Sequence, residues 1–146
     1  MLGHSLGRNC KVTLINTGET TGQGTITSDE INMAGYEGCL FLVHMGTIDG
    51  SAETTCYVNQ AATTGGSEAR LEGSRITIAD DEDDMVQLMD VYRPQEQFLE
   101  VEVTRATSNS VIQSIVAIQY GSRKPPVTHD SSTVPNATYV AGPDEA

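Results

Sequence analysis

The chain has 146 residues, with twenty Asp plus Glu against eight Lys plus Arg and a formal net charge of −12. A surface that acidic repels phosphate backbones and anionic headgroups, so neither nucleic acid nor a membrane surface is expected as a partner. There is no Trp, and only two Phe and five Tyr accompany fourteen Gly; the core must come from Val, Ile, Leu, Met and Ala, in short strands joined by turns.

Taken in chain order, the N-terminus lacks the charged and apolar regions of a signal peptide, which predicts synthesis in the cytosol and no glycosylation at the Asn136-Ala137-Thr138 sequon. Lys11–Ile15 alternates, with Val12 and Leu14 on one face. Asn16–Gln23 reads as a turn. Gly24–Thr27 and Ile31–Met33 read as short strands around an Asp29-Glu30 turn. Cys39–Met45 (CLFLVHM) is apolar almost throughout, as a central strand buried on both faces would be, with His44 as a satisfied core histidine.

Thr54–Gln60 alternates weakly, and Ala61–Glu68 is a turn region. Arg75–Ile78 predicts Ile76 and Ile78 facing inward. Met85, Leu88, Met89 and Tyr92 follow helical spacing, but the segment spans two turns and ends at Arg93-Pro94, where the pre-proline residue prefers extended backbone. A strand is therefore predicted there. Phe98–Arg105 (FLEVEVTR) alternates cleanly, with Leu99, Val101 and Val103 inward. Thr107–Ser110 reads as a turn and Val111–Tyr120 (VIQSIVAIQY) as its hairpin partner, apolar on both faces, with Ile118 buried. About eight strands predict an all-β fold, an antiparallel sandwich or jelly roll. The predicted division is a β-sandwich domain over residues 1–121 and an extended Pro-rich C-terminal arm over 122–146.

Few features point to chemistry. The three cysteines, Cys10, Cys39 and Cys56, have no CxxC spacing and read as buried free thiols. Asp80–Asp84 (DDEDD) is an acidic cluster in which Asp80, Asp81, Asp83 and Asp84 offer carboxylates to a cation. It lacks EF-hand spacing, and a solvated acidic turn accounts for it. His129, Asp130, Ser131 and Ser132 resemble hydrolase residues in type, but neighbours in sequence cannot converge as a nucleophile–base–orienter set. His4 is terminal. No GxSxG, HExxH or P-loop pattern occurs, and neither an enzyme nor a cofactor is expected.

The arm carries four of the five prolines (Pro125, Pro126, Pro135 and Pro143) and no run able to bury an apolar face. Arg123 and Lys124 form the close basic pair of a strongly acidic chain, followed by a stiff Pro-Pro step. Arg123, Lys124, Pro125, Pro126, Val127 and His129 are accordingly predicted to bind a partner, since a stiff extended segment loses little entropy on docking.

DVYRP (Asp90–Pro94), with Arg105–Asp130 (RATSNSVIQSIVAIQYGSRKPPVTHD), resembles small head decoration, or cement, proteins of tailed bacteriophages, encoded beside the major capsid protein. The similarity extends to the acidic turn and, more loosely, to Met33–Gly46. It implies a β-sandwich on the outer face of the capsid, bound to the major capsid protein and to itself, as homotrimers at local three-fold positions. The location implied is the virion surface, after synthesis in the host cytoplasm. The alternatives are a head–tail connector or tail component of the same virion and a carbohydrate-binding adhesive sandwich, the latter weakened by the scarcity of aromatic platforms.

Overall fold

The computed structural model describes residues 5–140 and 142. After a four-residue helix α1 (Leu6–Asn9), nine strands follow: β1 (Lys11–Asn16), β2 (Glu19–Thr27), β3 (Ile31–Asn32), β4 (Gly38–Ile48), β5 (Glu53–Ala61), β6 (Ala69–Arg70), β7 (Ile76–Ile78), β8 (Val86–Tyr92) and β9 (Phe98–Tyr120). All pairings are antiparallel, within one connected sheet. The all-β class and the strand at Met85–Tyr92 agree with the sequence. The two-residue β6 carries no periodic signal, and the sequence predicts no strand there.

The organising element is β9. The predicted hairpin between Phe98–Arg105 and Val111–Tyr120 does not form, because the two segments are one 23-residue strand. Along one side of it run β4 and β5, meeting its C-terminal and N-terminal halves respectively. Along the other side run β1, β2 and β3 in the same manner. Part of the predicted Asn16–Gln23 turn is thereby drawn into β2, which starts at Glu19.

A straight strand of that length would leave both halves half-solvated, and two irregularities bend it instead. On the β2 side Gly22 pairs with Ser110 while Gly24 pairs with Arg105, so β9 bulges through Thr107–Asn109, with Thr107 at φ 67°. On the β4 side His44 pairs with Ser114 and Met45 with Ile112, leaving Gln113 as an inserted residue. Each bulge reverses the alternation and sharpens the twist. Leu99, Val101, Val103 and Arg105 point inward before the first, Ser110 and Ile112 between the two, and Ile115, Ala117 and Gln119 beyond the second.

The bent ribbon closes on itself as a sandwich. One layer holds β2 and β3, the first half of β9, β5, β7 and β6. The other holds β1, the second half of β9, β4 and β8. A single apolar cluster joins them: Cys56, Val58, Ile78, Leu99, Val101 and Val103 from the first, with Phe41, Val43, Met45, Met89, Ile112 and Ile115 from the second. Cys39 and Cys56 are buried free thiols, as predicted, whereas Cys10 is only partly covered. Burial raises the Cys39 thiol well above its ordinary range and pushes Cys56 up to about 12.

Arg105 holds the bend. Its guanidinium is buried and donates to the carbonyls of Thr20 and Ser110 at 2.9 Å each. Those carbonyls lie where the β2–β9 ladder shifts, so the charge-assisted bonds replace the missing rungs. Two sequence expectations fall with the second bulge and the pleat of β4. Ile118 lies on the outer face, half-buried, and His44 also faces outward on β4 instead of into the core.

Candidate partner-binding surface

The acidic turn acts on the chain itself. Between Ile48 and Glu53 the chain passes from one layer to the other, and amides there lose their ladder partners. The Asp83 carboxylate accepts from the Ile48 amide at 3.0 Å and Asp80 from the Ser51 amide at 2.7 Å. Glu82 accepts from the Gln87 side chain at 2.8 Å, and the Asp84 amide donates to the Gly46 carbonyl at 3.1 Å. Among the described residues no three His, Cys, Asp or Glu side chains converge as metal ligands.

The arm turns back onto its own body as it leaves β9. The Arg123 amide donates to the Gly35 carbonyl at 3.0 Å, the chain bends through Arg123–Pro126, and the Pro125–Pro126 peptide is cis. The Val127 amide then donates to the Arg8 carbonyl at 2.7 Å. His129 Nδ1 accepts from the Val12 amide at 3.1 Å and Nε2 meets the Gly7 carbonyl at 2.8 Å. Acceptance at Nδ1 sets the tautomer: Nε2 carries the proton and donates. Tyr139 lies over Gly7, where a Cβ would come within 2.8 Å of the ring, and Arg8 sits 5.0 Å from its centroid. His129 is thus tied to the β1 edge, while Arg123, Lys124, Pro125 and Pro126 remain exposed. Of the remaining hydrolase-like residues, Asp130 accepts from the Ser132 hydroxyl and amide in a local turn. His4 and Pro143 lie outside the described residues.

The outer faces of the two layers differ. On the first, Asn59 Nδ2 donates to Glu102 at 2.9 Å and to Glu100 at 3.3 Å, and Arg70 bonds Glu102 at 2.7 Å while stacking 4.1 Å from the Tyr57 centroid. Glu100 is buried, and that desolvation, reinforced by Glu68 and Glu30 nearby, pushes its carboxyl up to about 7. The Arg70 hydrogen bond holds Glu102 below the usual carboxylate range.

On the second layer the outward positions pair as apolar rows. Leu14, Val116, Leu42 and Leu88 lie side by side across four strands, next to the row of Val12, Ile118 and Leu40. The first row ends at Leu88 and the second at Asp90, and the apolar side chains along this margin are bare: Val86 is 51% exposed, Leu88 57% and Tyr92 62%, with Met85, just ahead of the strand, at 53%. A sheet layer apolar on both sides has one face for its own core and one to spare. The sequence carried the signal in VIQSIVAIQY, read there as a strand inside a sheet.

The edges of this layer differ as well. The β1 edge is met by His129 at the Val12 amide, with Val127 bonded to the neighbouring α1. Among the described residues, no strand pairs with the outer edge of β8. The Met45 amide donates to Met85 and the Arg93 amide to Glu37, and the ladder between them is unbroken from Gly38–Tyr92 to His44–Val86. Antiparallel alternation therefore turns the backbone N–H and C=O groups of Val86, Leu88, Asp90 and Tyr92 away from β4.

The chain matches no protein-family model, and no curated protein is significantly similar to it. In its fold it overlaps a structure of infectious bursal disease virus, Gt strain, at 10% identity and a TM-score of 0.49, covering 80% of this chain and 34% of that one. The Gx strain gives 11% identity, a TM-score of 0.45 and coverage of 80% and 35%. The crystal structure of the infectious bursal disease virus VP2 subviral particle gives 14%, 0.43, and 76% and 33%. The chain thus spans about a third of the length of the chains it matches.

Proposed function

We propose that the chain is a non-enzymatic structural protein of a virion, a decoration protein that attaches to the outer surface of a phage capsid and stabilises the shell. One observation carries the reading: an acidic sandwich keeps apolar rows on one outer sheet face and, among the described residues, leaves the adjoining edge strand unpaired. Exposed edges are normally blunted with charge, proline or a covering segment; here His129 meets β1, while among the described residues β8 has the charge of Asp90 and no covering segment. The phage resemblance of Asp90–Pro94 and Arg105–Asp130 supplies the partner, the major capsid protein. It also supplies the assembly, trimers at local three-fold positions.

The mechanism is linkage. A clamp that contacts several shell subunits binds only the assembled state and shifts the equilibrium toward it. Joining copies raises the effective concentration of each further contact. In this reading the exposed Arg123–Pro126 stretch of the arm adds a second contact beside the body.

Counting labelled copies on purified particles tests the proposal. Hundreds distributed over the head are expected; a dozen or fewer at one vertex or along the tail would make it a connector or tail component. Deleting residues 122–146 should leave the sheet folded by circular dichroism and weaken attachment. Undiminished attachment would remove the arm from the contact.

A further inference from the structure

The open edge of β8 forms one wall of a groove of about 780 Å³, with Arg70–Ile76 as the opposite wall. Three exposed arginines line it, Arg70, Arg75 and Arg93, out of eight basic residues in the whole chain. Arg70 is paired with Glu102 and Arg93 with Glu37, each arginine side chain remaining more than half exposed. Arg75 forms no ion pair among the described residues and lies 6.0 Å from the Tyr57 centroid. The groove also contains two carboxylates, Glu72 and Asp90, and Asp90 is held by the Tyr120 hydroxyl. On a body of net charge −12 this lining holds more arginines than carboxylates, with Arg75 its arginine outside any ion pair, beside the backbone N–H and C=O groups of Leu88, Asp90 and Tyr92, which have no ladder partner among the described residues.

We propose that this groove takes an extended acidic segment of a partner protein, which adds to β8 as a further antiparallel or parallel strand. The inference rests on the reading of the chain as a binding module and names the chemistry of what it binds. Strand addition supplies main-chain hydrogen bonds, and alternate side chains supply specificity. Side chains of one parity reach the Arg70–Arg75 wall and favour Glu or Asp. Those of the other parity lie beside Leu88 and Tyr92, with Asp90 between them, extend the apolar row that ends at Leu88, and favour Val, Ile or Leu. The recognised segment therefore alternates acidic and apolar residues.

Fluorescence anisotropy on the full chain, with a short labelled peptide of alternating valine and glutamate and a valine–lysine control, tests this. Saturable binding of the acidic peptide alone is expected. Arg75→Glu should weaken it about fivefold and flatten its salt dependence. Leu88→Pro should abolish it, since on an edge strand this proline removes an N–H directed at the groove and none used by β4. If circular dichroism shows that Leu88→Pro has lost its sheet, protection of the Leu88 and Asp90 amides from hydrogen exchange on adding the acidic peptide replaces that variant. Binding of neither peptide, equal binding of the lysine peptide, or unchanged binding by the folded proline variant would overturn the proposal. Particles that still carry the protein in that event would leave the attachment reading standing and remove only this groove.

Discussion

The two layers of the sandwich present the same kind of face to each other and different faces to solvent. Inward, the two together offer Val, Ile, Leu, Phe and Met at alternate positions. Outward, the layer built on Glu53–Ala61 and Phe98–Ala106 carries Tyr57, Asn59, Glu100 and Glu102 tied to Arg70, whereas the layer built on Gly38–Ile48 and Ser110–Tyr120 carries Leu40, Leu42, Val116 and Ile118. Burial of an inner face folds a chain. An apolar outer face adds nothing to folding beyond contacts within the sheet, so it reports what the folded chain meets afterwards.

Substitutions that separate inner from outer positions test this contrast. The largest effect is expected of Val101→Asp, which places an unpaired charge in the shared core and should cost more than about 4 kcal/mol. Circular dichroism should show no cooperative unfolding; a stable variant would mean that the layers do not share a core. Arg105→Leu should cost about 3 kcal/mol in urea unfolding, because it strands the Thr20 and Ser110 carbonyls at the bend. A neutral result would show that the bulge holds the bend without the guanidinium.

Ile118→Asp, on the outer face, should cost about 1 kcal/mol or less and leave the fold intact, while reducing attachment to particles. Loss of folding would place Ile118 in the core, as simple alternation predicts. The smallest effect is at Glu100. Its raised folded-state value means that the native state holds a proton the unfolded chain has released, so stability is greatest below the ordinary carboxyl range and falls as pH rises toward about 7. Glu100→Gln should narrow the difference in Tm between about pH 4 and pH 8; an unaltered pH profile would assign that loss to other groups.

The strands were legible wherever the period-two pattern is uninterrupted. Phe98–Arg105, Cys39–Met45 and the disputed Met85–Tyr92 all lie where alternation, apolar continuity or the following proline placed them. The hairpin failed because Thr107–Ser110 has turn composition but is spent on a bulge, and a bulge and a tight turn use the same residue types. Ile118 and His44 were misplaced for a related reason: in a strand apolar on both sides, periodicity cannot tell which side is the core. The role of Arg105 was visible as a charged residue in the inward phase of FLEVEVTR. The carbonyls it serves, at Thr20 and Ser110, come together only once β2 and β9 pair. The open β8 edge was not legible, because it depends on which strand lies last in the sheet.

Hydrogen exchange on the protein free and attached to particles tests the central claim most directly. The account predicts added protection at Val86, Leu88, Asp90 and Tyr92, with the amides of Tyr57 and Glu102 on the opposite layer unchanged. Protection confined to that opposite layer, or none on either, would contradict it.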